Sequence, residues 1–351
     1  MRYGRSLVVA ATLVALLVHL GMGASTAQSV GLTGAGGSFP GPLYAKWIQV
    51  YAAERGVRLV YHQVGSGDGL RLLLDRGVDF AGIDAIPTRD QLAHASGPLV
   101  FVPIVAGAVV PVYAVQDLSH GLAFTGPVLA DIFLGKITQW DDKRLVDLNP
   151  QAKVPAKPIV VIHRSDDSGV TAIWTNYLSK VSPEWRERVG EGSTVQWPVG
   201  REARGDQGVV DLARRTENSI GYVELAHAFG NRMTFGSVRN KAGQLLAPSL
   251  TSTTKALEAA LPTIPDDYLM LMTNPDAGFA YPIAGLTYLV VYADQPDPDK
   301  GRALTQFLWW ATHEGQKHAP NYLYAPLPRQ LVDRVERTLK TMTVNGQPAF
   351  P

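Results

Sequence analysis

LTGAGGSFPGPLYAKWIQVYAAERGVRLVYHQVGSGDGLRLLLDR, residues 32–76, reads as strand, glycine turn, helix, strand, glycine turn, helix. The first helix is marked by Pro42 in its opening turn, by Leu43, Trp47, Val50 and Tyr51 at helical spacing, and by Gly56 at its end. Residues 57–61 have strand character, and 70–75 are expected to open the second helix once the glycines are past. Phe80-Ala81-Gly82-Ile83 then makes a short buried strand that delivers Asp84 at its C-terminal end. Alternation of this kind builds an α/β sheet with its ligand-binding loops at the strand ends.

Outward from this block, residues 99–115, LVFVPIVAGAVVPVYAV, are nearly all apolar and rich in valine. They suit either a buried strand pair or one strand crossing between two lobes. A second apolar run covers 283–292. With two crossings, residues 28–106 and 282–351 form one discontinuous lobe and 107–281 the other. In the middle, 158–162 is a strand ending at His163-Arg164, and the helix after Ser168 carries Ile173, Trp174, Tyr177 and Leu178 on one face. Residues 302–311 and 330–342 are helical by pattern, and there is no internal repeat. Trp47, Trp140, Trp197, Trp309 and Trp310 are expected to pack rather than touch a ligand.

The N-terminal end, MRYGRSLVVAATLVALLVHLGMGASTAQS, reads as a secretory signal peptide. Arg2 and Arg5 are its basic start, Leu7 to Leu20 its apolar run, and Ser25-Thr26-Ala27 a small-residue cleavage site. The run is short for a membrane span and no stop-transfer charges follow, so export to the periplasm with cleavage near Ala27 is expected. The chain has no cysteine, which removes lipid anchoring, disulfides, thiol nucleophiles and Cys-ligated metals. Residues 1–27 hold two arginines and no acids, so the formal charge goes from +1 to −1 on cleavage. A near-neutral chain argues against nucleic-acid or membrane-surface partners. With 46% hydrophobic and 18% charged residues over 351, the chain has ample core for two domains of ordinary size.

Three polar clusters carry the chemistry: Gly34-Ala35-Gly36-Gly37-Ser38-Phe39-Pro40, Gly65-Ser66-Gly67-Asp68-Gly69 and Arg164-Ser165-Asp166-Asp167-Ser168-Gly169. Each leads into a helix pattern, where orphan backbone N–H groups and the helix dipole favour anions. Together, with one arginine among them, they suggest a cage for a small oxyanion. Arg164 can grip an oxyanion through paired N–H donors while Asp166 holds the fork. Ser168 suits an N-cap and an anion donor equally, because both use the same free N–H groups. Ser38 and Ser66 are turn serines unless their turns converge. Asp84, alone, reads as a turn residue before Pro87. Beside an oxyanion it is repulsive unless the ligand brings a proton, as monohydrogen or dihydrogen phosphate does and sulfate does not. A desolvated mismatch of that type costs on the order of several kcal/mol.

Read together, these residues resemble the periplasmic phosphate-binding subunits of the phosphate-specific ABC transporter, the PstS family. The markers are GAGGSFPGPLYAKW at 34–47, VDFAGIDA at 78–85, DIFLGKITQWDD at 131–142, HRSDDSGVTAIWTNYL at 163–178, GSTVQWPVG at 192–200, SIGYVELAHA at 219–228 and YLYAPLP at 322–328. The resemblance spans nearly all of the mature chain. It implies an α/β, two-lobed periplasmic binding protein of type II, with a central β-sheet flanked by helices in each lobe and two crossover strands. It also implies a monomer with no cofactor and no metal, which captures inorganic phosphate between the lobes and delivers it to inner-membrane permease subunits of an ABC importer.

By the same resemblance, Ser38 and Phe39 contribute hydroxyl and backbone N–H donors, Ser66 the serine of the second turn, and Asp84 the proton acceptor. Arg164 is the cationic ligand with Asp166 as its support, and Ser168, Gly169 and Val170 are the helix-start donors. Two positions depart from the family pattern. Val170 stands where threonine is usual, and losing one neutral hydrogen bond weakens binding by about 0.5–1.5 kcal/mol, roughly tenfold at the upper end. Asp68 stands in a turn that is usually Ser-Ser-Gly-Gly and adds negative charge at the mouth.

An enzyme is the main rival class. The turns lack the Lys-Ser/Thr of a P-loop and the last glycine of a dinucleotide fingerprint, and no serine sits in a Gly-x-Ser-x-Gly elbow. The eight histidines form no His-x-x-x-His pair or His-Glu-x-x-His, which argues against a metal phosphatase acting as a phosphate-ester hydrolase. A second rival binds another oxyanion. Asp84 argues against sulfate but much less against arsenate or a phosphonate, which carry protons too.

Overall fold

The structure, a computed structural model, describes residues 30–350 apart from 117, 119 and 120. The expected signal peptide therefore lies outside the described residues. The main sheet runs in the order Arg58–Gln63, Gly31–Gly36, Phe80–Ile83, Ala284–Tyr292, Leu99–Ala114, Ser219–Glu224, Val160–Arg164 and Arg201–Ala203. The first three strands pair in parallel, as expected where helices connect them.

The long apolar run forms one 16-residue strand, Leu99–Ala114. Its first part, Leu99 to Ala108, pairs with Ala284–Tyr292, and its second part, Val109 to Ala114, pairs with Ser219–Glu224. One strand thus serves both halves of the molecule, which explains why it is apolar almost throughout: neither of its faces meets water. The strand Ala284–Tyr292 is buried along its length and pairs with Phe80–Ile83 and the long strand. The chain re-enters this half just ahead of it, at Ile283, whose carbonyl accepts from the Val109 N–H at 2.8 Å.

The second helix differs from expectation. It spans Ser66–Leu74 and so begins inside the glycine cluster rather than after it. Close approach explains the glycines: a Cβ on Gly69 would come within 2.3 Å of the Gly36 backbone, and one on Gly67 within 1.8 Å of the Asp167 carboxylate. Further along, the helices Gly169–Val181, Pro298–Thr312 and Arg329–Leu339 match the patterned segments to within a few residues.

Each half has its own aromatic core. In the first, Trp47 and Tyr51 meet Trp310 edge-on, and Tyr51 and Phe80 pack on Phe307. In the second, Trp174 stacks on Tyr222 at 5.0 Å beside Phe133, and Trp197 joins them. Each such pair adds about 0.5–1.5 kcal/mol beyond the area it buries. Trp47, Trp140 and Trp310 are fully buried while Trp197 and Trp309 are partly so, in keeping with packing roles. Among the described residues no helix is long and apolar enough to cross a membrane.

Candidate functional site

The three glycine clusters meet at the junction of the halves. Strand Phe80–Ile83 ends at Asp84, strand Val160–Arg164 ends at Arg164, and the helix Gly169–Val181 starts between them. Ser38, Ser66, Asp84, Arg164, Ser168 and Val170 are all buried. Two glycines make the approach possible. A Cβ on Gly169 would lie 2.4 Å from the Asp84 Cβ, and one on Gly37 would lie 2.3 Å from Asp84 Oδ2. A larger residue at position 169 would drive the halves apart, and one at position 37 would displace the Asp84 carboxylate within its own half.

Ser66 joins the halves directly. Its Oγ accepts from the Asp84 N–H and from the Gly169 N–H, both at 3.2 Å, and donates to Asp84 Oδ2 at 3.3 Å. Asp84 Oδ1 is buried with no hydrogen-bond partner among the described residues. Burial pushes the Asp84 carboxyl up to about 7, with Asp206 adding to the effect, while the Thr287 and Ser66 hydroxyls and Arg164 pull the other way. A dry carboxylate oxygen without a donor is an acceptor waiting for a proton from something else.

Arg164 faces it from the other half, its side chain 1% exposed. Nε and Nη2 grip Asp166 at 2.8 and 2.6 Å, and Nη1 donates to Asp206 Oδ2 at 2.8 Å. Burial opposes the Arg164 charge, yet Asp206 and Asp166 outweigh it and hold the guanidinium above its ordinary range. Both carboxyls in turn stay below theirs, because Arg164 overcomes the burial that would raise them.

Ser168 is the N-cap of its helix, its Oγ accepting from the Thr171 N–H at 3.2 Å. The Thr171 hydroxyl is taken up by Tyr222 at 2.7 Å, so it does not replace the hydroxyl missing at Val170. The Phe39 ring lies 6.0 Å from the Tyr324 ring and over Gly107 of the long strand. Asp68 is half-buried; it meets Arg71 at 3.3 Å and, across the junction, Arg204 at 3.5 Å.

Sequence reasoning missed four residues. Asp206 opens the helix Gly205–Arg214 and binds both Ser38 and Arg164. His227 Nε2 lies 2.8 Å from the Ser38 carbonyl oxygen. Tyr324 Oη lies 2.6 Å from the Phe39 carbonyl oxygen and 2.9 Å from Glu224 Oε2. The Tyr324 hydroxyl is shared between these two acceptors, Glu224 Oε2 also accepts from the Ala226 N–H at 2.7 Å, and burial holds the Glu224 carboxyl well above the usual range. A signal for Asp206 was present: Gly205-Asp206-Gln207-Gly208 is a fourth glycine cluster at a helix start. Among the described residues, no group of three or more His, Asp or Glu is arranged to hold a metal ion.

Residues 23–314 match the model of the PBP superfamily domain. The phosphate-binding protein PstS of Pasteurella multocida is 38% identical over 319 residues, covering 91% of this chain and 92% of that protein. The protein of the same name from Haemophilus influenzae is 39% identical over 318 residues, covering 90% and 94%. Among solved structures, a phosphate-binding protein from Stenotrophomonas maltophilia superposes with a TM-score of 0.68 at 21% identity, covering 88% of this chain and 94% of the other. That likeness establishes the two-lobed α/β fold. At 38–39% identity over nine-tenths of both chains, the sequence match goes further: the chain belongs to the PstS family of phosphate-binding proteins.

Proposed function

We infer that this chain is an exported solute-binding protein that captures inorganic phosphate at the junction of its lobes and hands it to the permease subunits of an ABC importer. Its relatives are named as binding proteins, and the chain is read as a binder rather than an enzyme. The lobes are 28–106 with 282–351, and 107–281, and the mature protein is a periplasmic monomer cleaved near Ala27. Ser38, Phe39, Ser66, Asp84, Arg164, Ser168, Gly169 and Val170 surround the anion, and Asp166 supports Arg164. Closure of the lobes strips the anion of water.

One observation carries this reading: a buried, unpartnered Asp84 oxygen close to the arginine-bearing wall of the same site. Such an acceptor suits an oxyanion that carries a proton and penalises one that does not. Calorimetric titration of the purified chain with phosphate, arsenate and sulfate tests it. Tight phosphate and weak sulfate binding are expected, and the reverse order would overturn the reading. Arsenate tighter than phosphate would shift the substrate within the same class. Turnover of a phosphomonoester by the pure protein would replace binding with hydrolysis.

A further inference from the structure

Ser38 is expected to donate its hydroxyl proton to the ligand, but that proton is already committed. Its Oγ lies 2.5 Å from Asp206 Oδ2, and the Asp206 N–H returns a 3.3 Å bond to the same oxygen. The Asp206 carboxylate is 0% exposed, and its oxygens also accept from Arg164 Nη1 and from the Glu224 N–H at 2.8 Å each. An ionised carboxylate can only accept, so the serine must be the donor. One Ser38 lone pair takes the Asp206 N–H, and the other is what remains for a ligand. Ser38 therefore meets an anion as an acceptor, as Asp84 does. The charges agree: Arg164 is gripped by Asp166 and Asp206 together, so this buried group is already net negative before any anion arrives. A second negative charge on the ligand is costly in such a place.

We propose that Asp206 is a specificity-determining residue which, by holding the Ser38 proton, makes the site select the singly charged dihydrogen form of phosphate. One ligand O–H donates to Asp84 and the other to Ser38. This rests on the phosphate reading above and refines it. The charged and titratable groups facing Asp206 and Ser38 are Arg164 and Asp166 from the arginine strand and its loop, and His227 from the helix Leu225–Gly230. Glu224 faces them from the end of its strand, Tyr324 from the C-terminal segment, and Asp84 from the opposite wall. Burial pushes the Asp84 carboxyl up to about 7, so above that pH it has lost its proton in the empty site.

The test is calorimetric titration of the intact chain with inorganic phosphate, well above the second ionisation of phosphate, in two buffers of different ionisation enthalpy. Free phosphate is then the dianion, so binding the dihydrogen form takes up about one proton per anion, and affinity falls about tenfold per further pH unit. Asp206→Asn frees the Ser38 proton and should abolish most of that uptake while flattening the pH slope. Ser38→Ala removes the second acceptor and should do the same, which keeps the test open if Asp206→Asn does not fold. Wild-type binding without proton uptake, or uptake unchanged in both variants, overturns the role of Asp206 while leaving phosphate binding intact. Failure of the wild type to bind phosphate at any pH removes the underlying reading instead.

Discussion

The two walls of the site are built on opposite electrostatic principles. On the Arg164 wall every charge is satisfied: a guanidinium between two carboxylates, each partner holding the other ionised against the cost of burial. On the Asp84 wall the charge is left open, with one carboxylate oxygen on the Ser66 hydroxyl and the other on nothing among the described residues. Pairing sets the first wall and desolvation sets the second. A paired wall keeps its charge across a wide pH range, whereas a desolvated one changes with its ligand and with pH. Such a combination can hold an anion and still inspect its protons.

The contrast is broken most severely at Arg164. Arg164→Ala leaves Asp166 and Asp206 buried without their cation, so stability should fall by about 3–5 kcal/mol and phosphate affinity by at least about a hundredfold. Urea denaturation and calorimetry check the two effects. Affinity kept within tenfold would mean that the paired wall is scaffold alone.

Next comes Asp84→Asn, which should lower the phosphate-over-sulfate preference by roughly 10- to 100-fold in competition titrations, since the amide can donate to a bare oxyanion. Asp84 also marks the empty protein's pH profile. Its carboxyl titrates near 3.8 when unfolded and about 7 when folded, so the unfolded state sheds this proton first as pH rises. The folded chain should lose stability between about pH 4 and 7, and Asp84→Asn should remove that loss. Asp166 and Asp206 act the opposite way. Their contribution is present above the ordinary carboxylate range and is lost as pH falls through their lowered folded values.

Ser168→Ala takes away an N-cap and should cost about 1 kcal/mol of stability by thermal denaturation, with less than tenfold loss of affinity. Smallest is Arg204→Ala. Arg204 reaches the Val64 carbonyl at 3.1 Å and Asp68 at 3.5 Å across the junction, but it is 65% exposed. The change should weaken binding by less than about 1 kcal/mol, an effect that fades as salt is raised. A larger, salt-independent loss would show that the rim, not the buried walls, holds the lobes together.

Much of this was legible in the chain. Repeating strand, glycine and helix units announced the sheet, and the valine-rich run announced buried strand while leaving open a pair or a single crossing, because apolar patterning is a local property. The clusters around Ser38, Ser66 and Arg164 were also visible, but not their convergence, since each serine taken alone also reads as a turn or cap residue. Asp206 escaped notice although its glycine cluster has the same form, because a lone aspartate there looks like a first-turn charge. Glu224 and Tyr324 were hidden for another reason: they lie 100 residues apart and meet only where the C-terminal segment returns to the junction.

From sequence alone followed the fold class, the lack of thiol chemistry and the types of group that could surround an anion. Those depend on residue identity and near-neighbour spacing. Only the tertiary structure decided which hydroxyl proton goes where and which carboxylate is left dry. Donor direction and desolvation arise between segments far apart in the chain, 168 residues from Ser38 to Asp206 and 42 from Arg164 to Asp206, and no local pattern encodes how such segments will face each other.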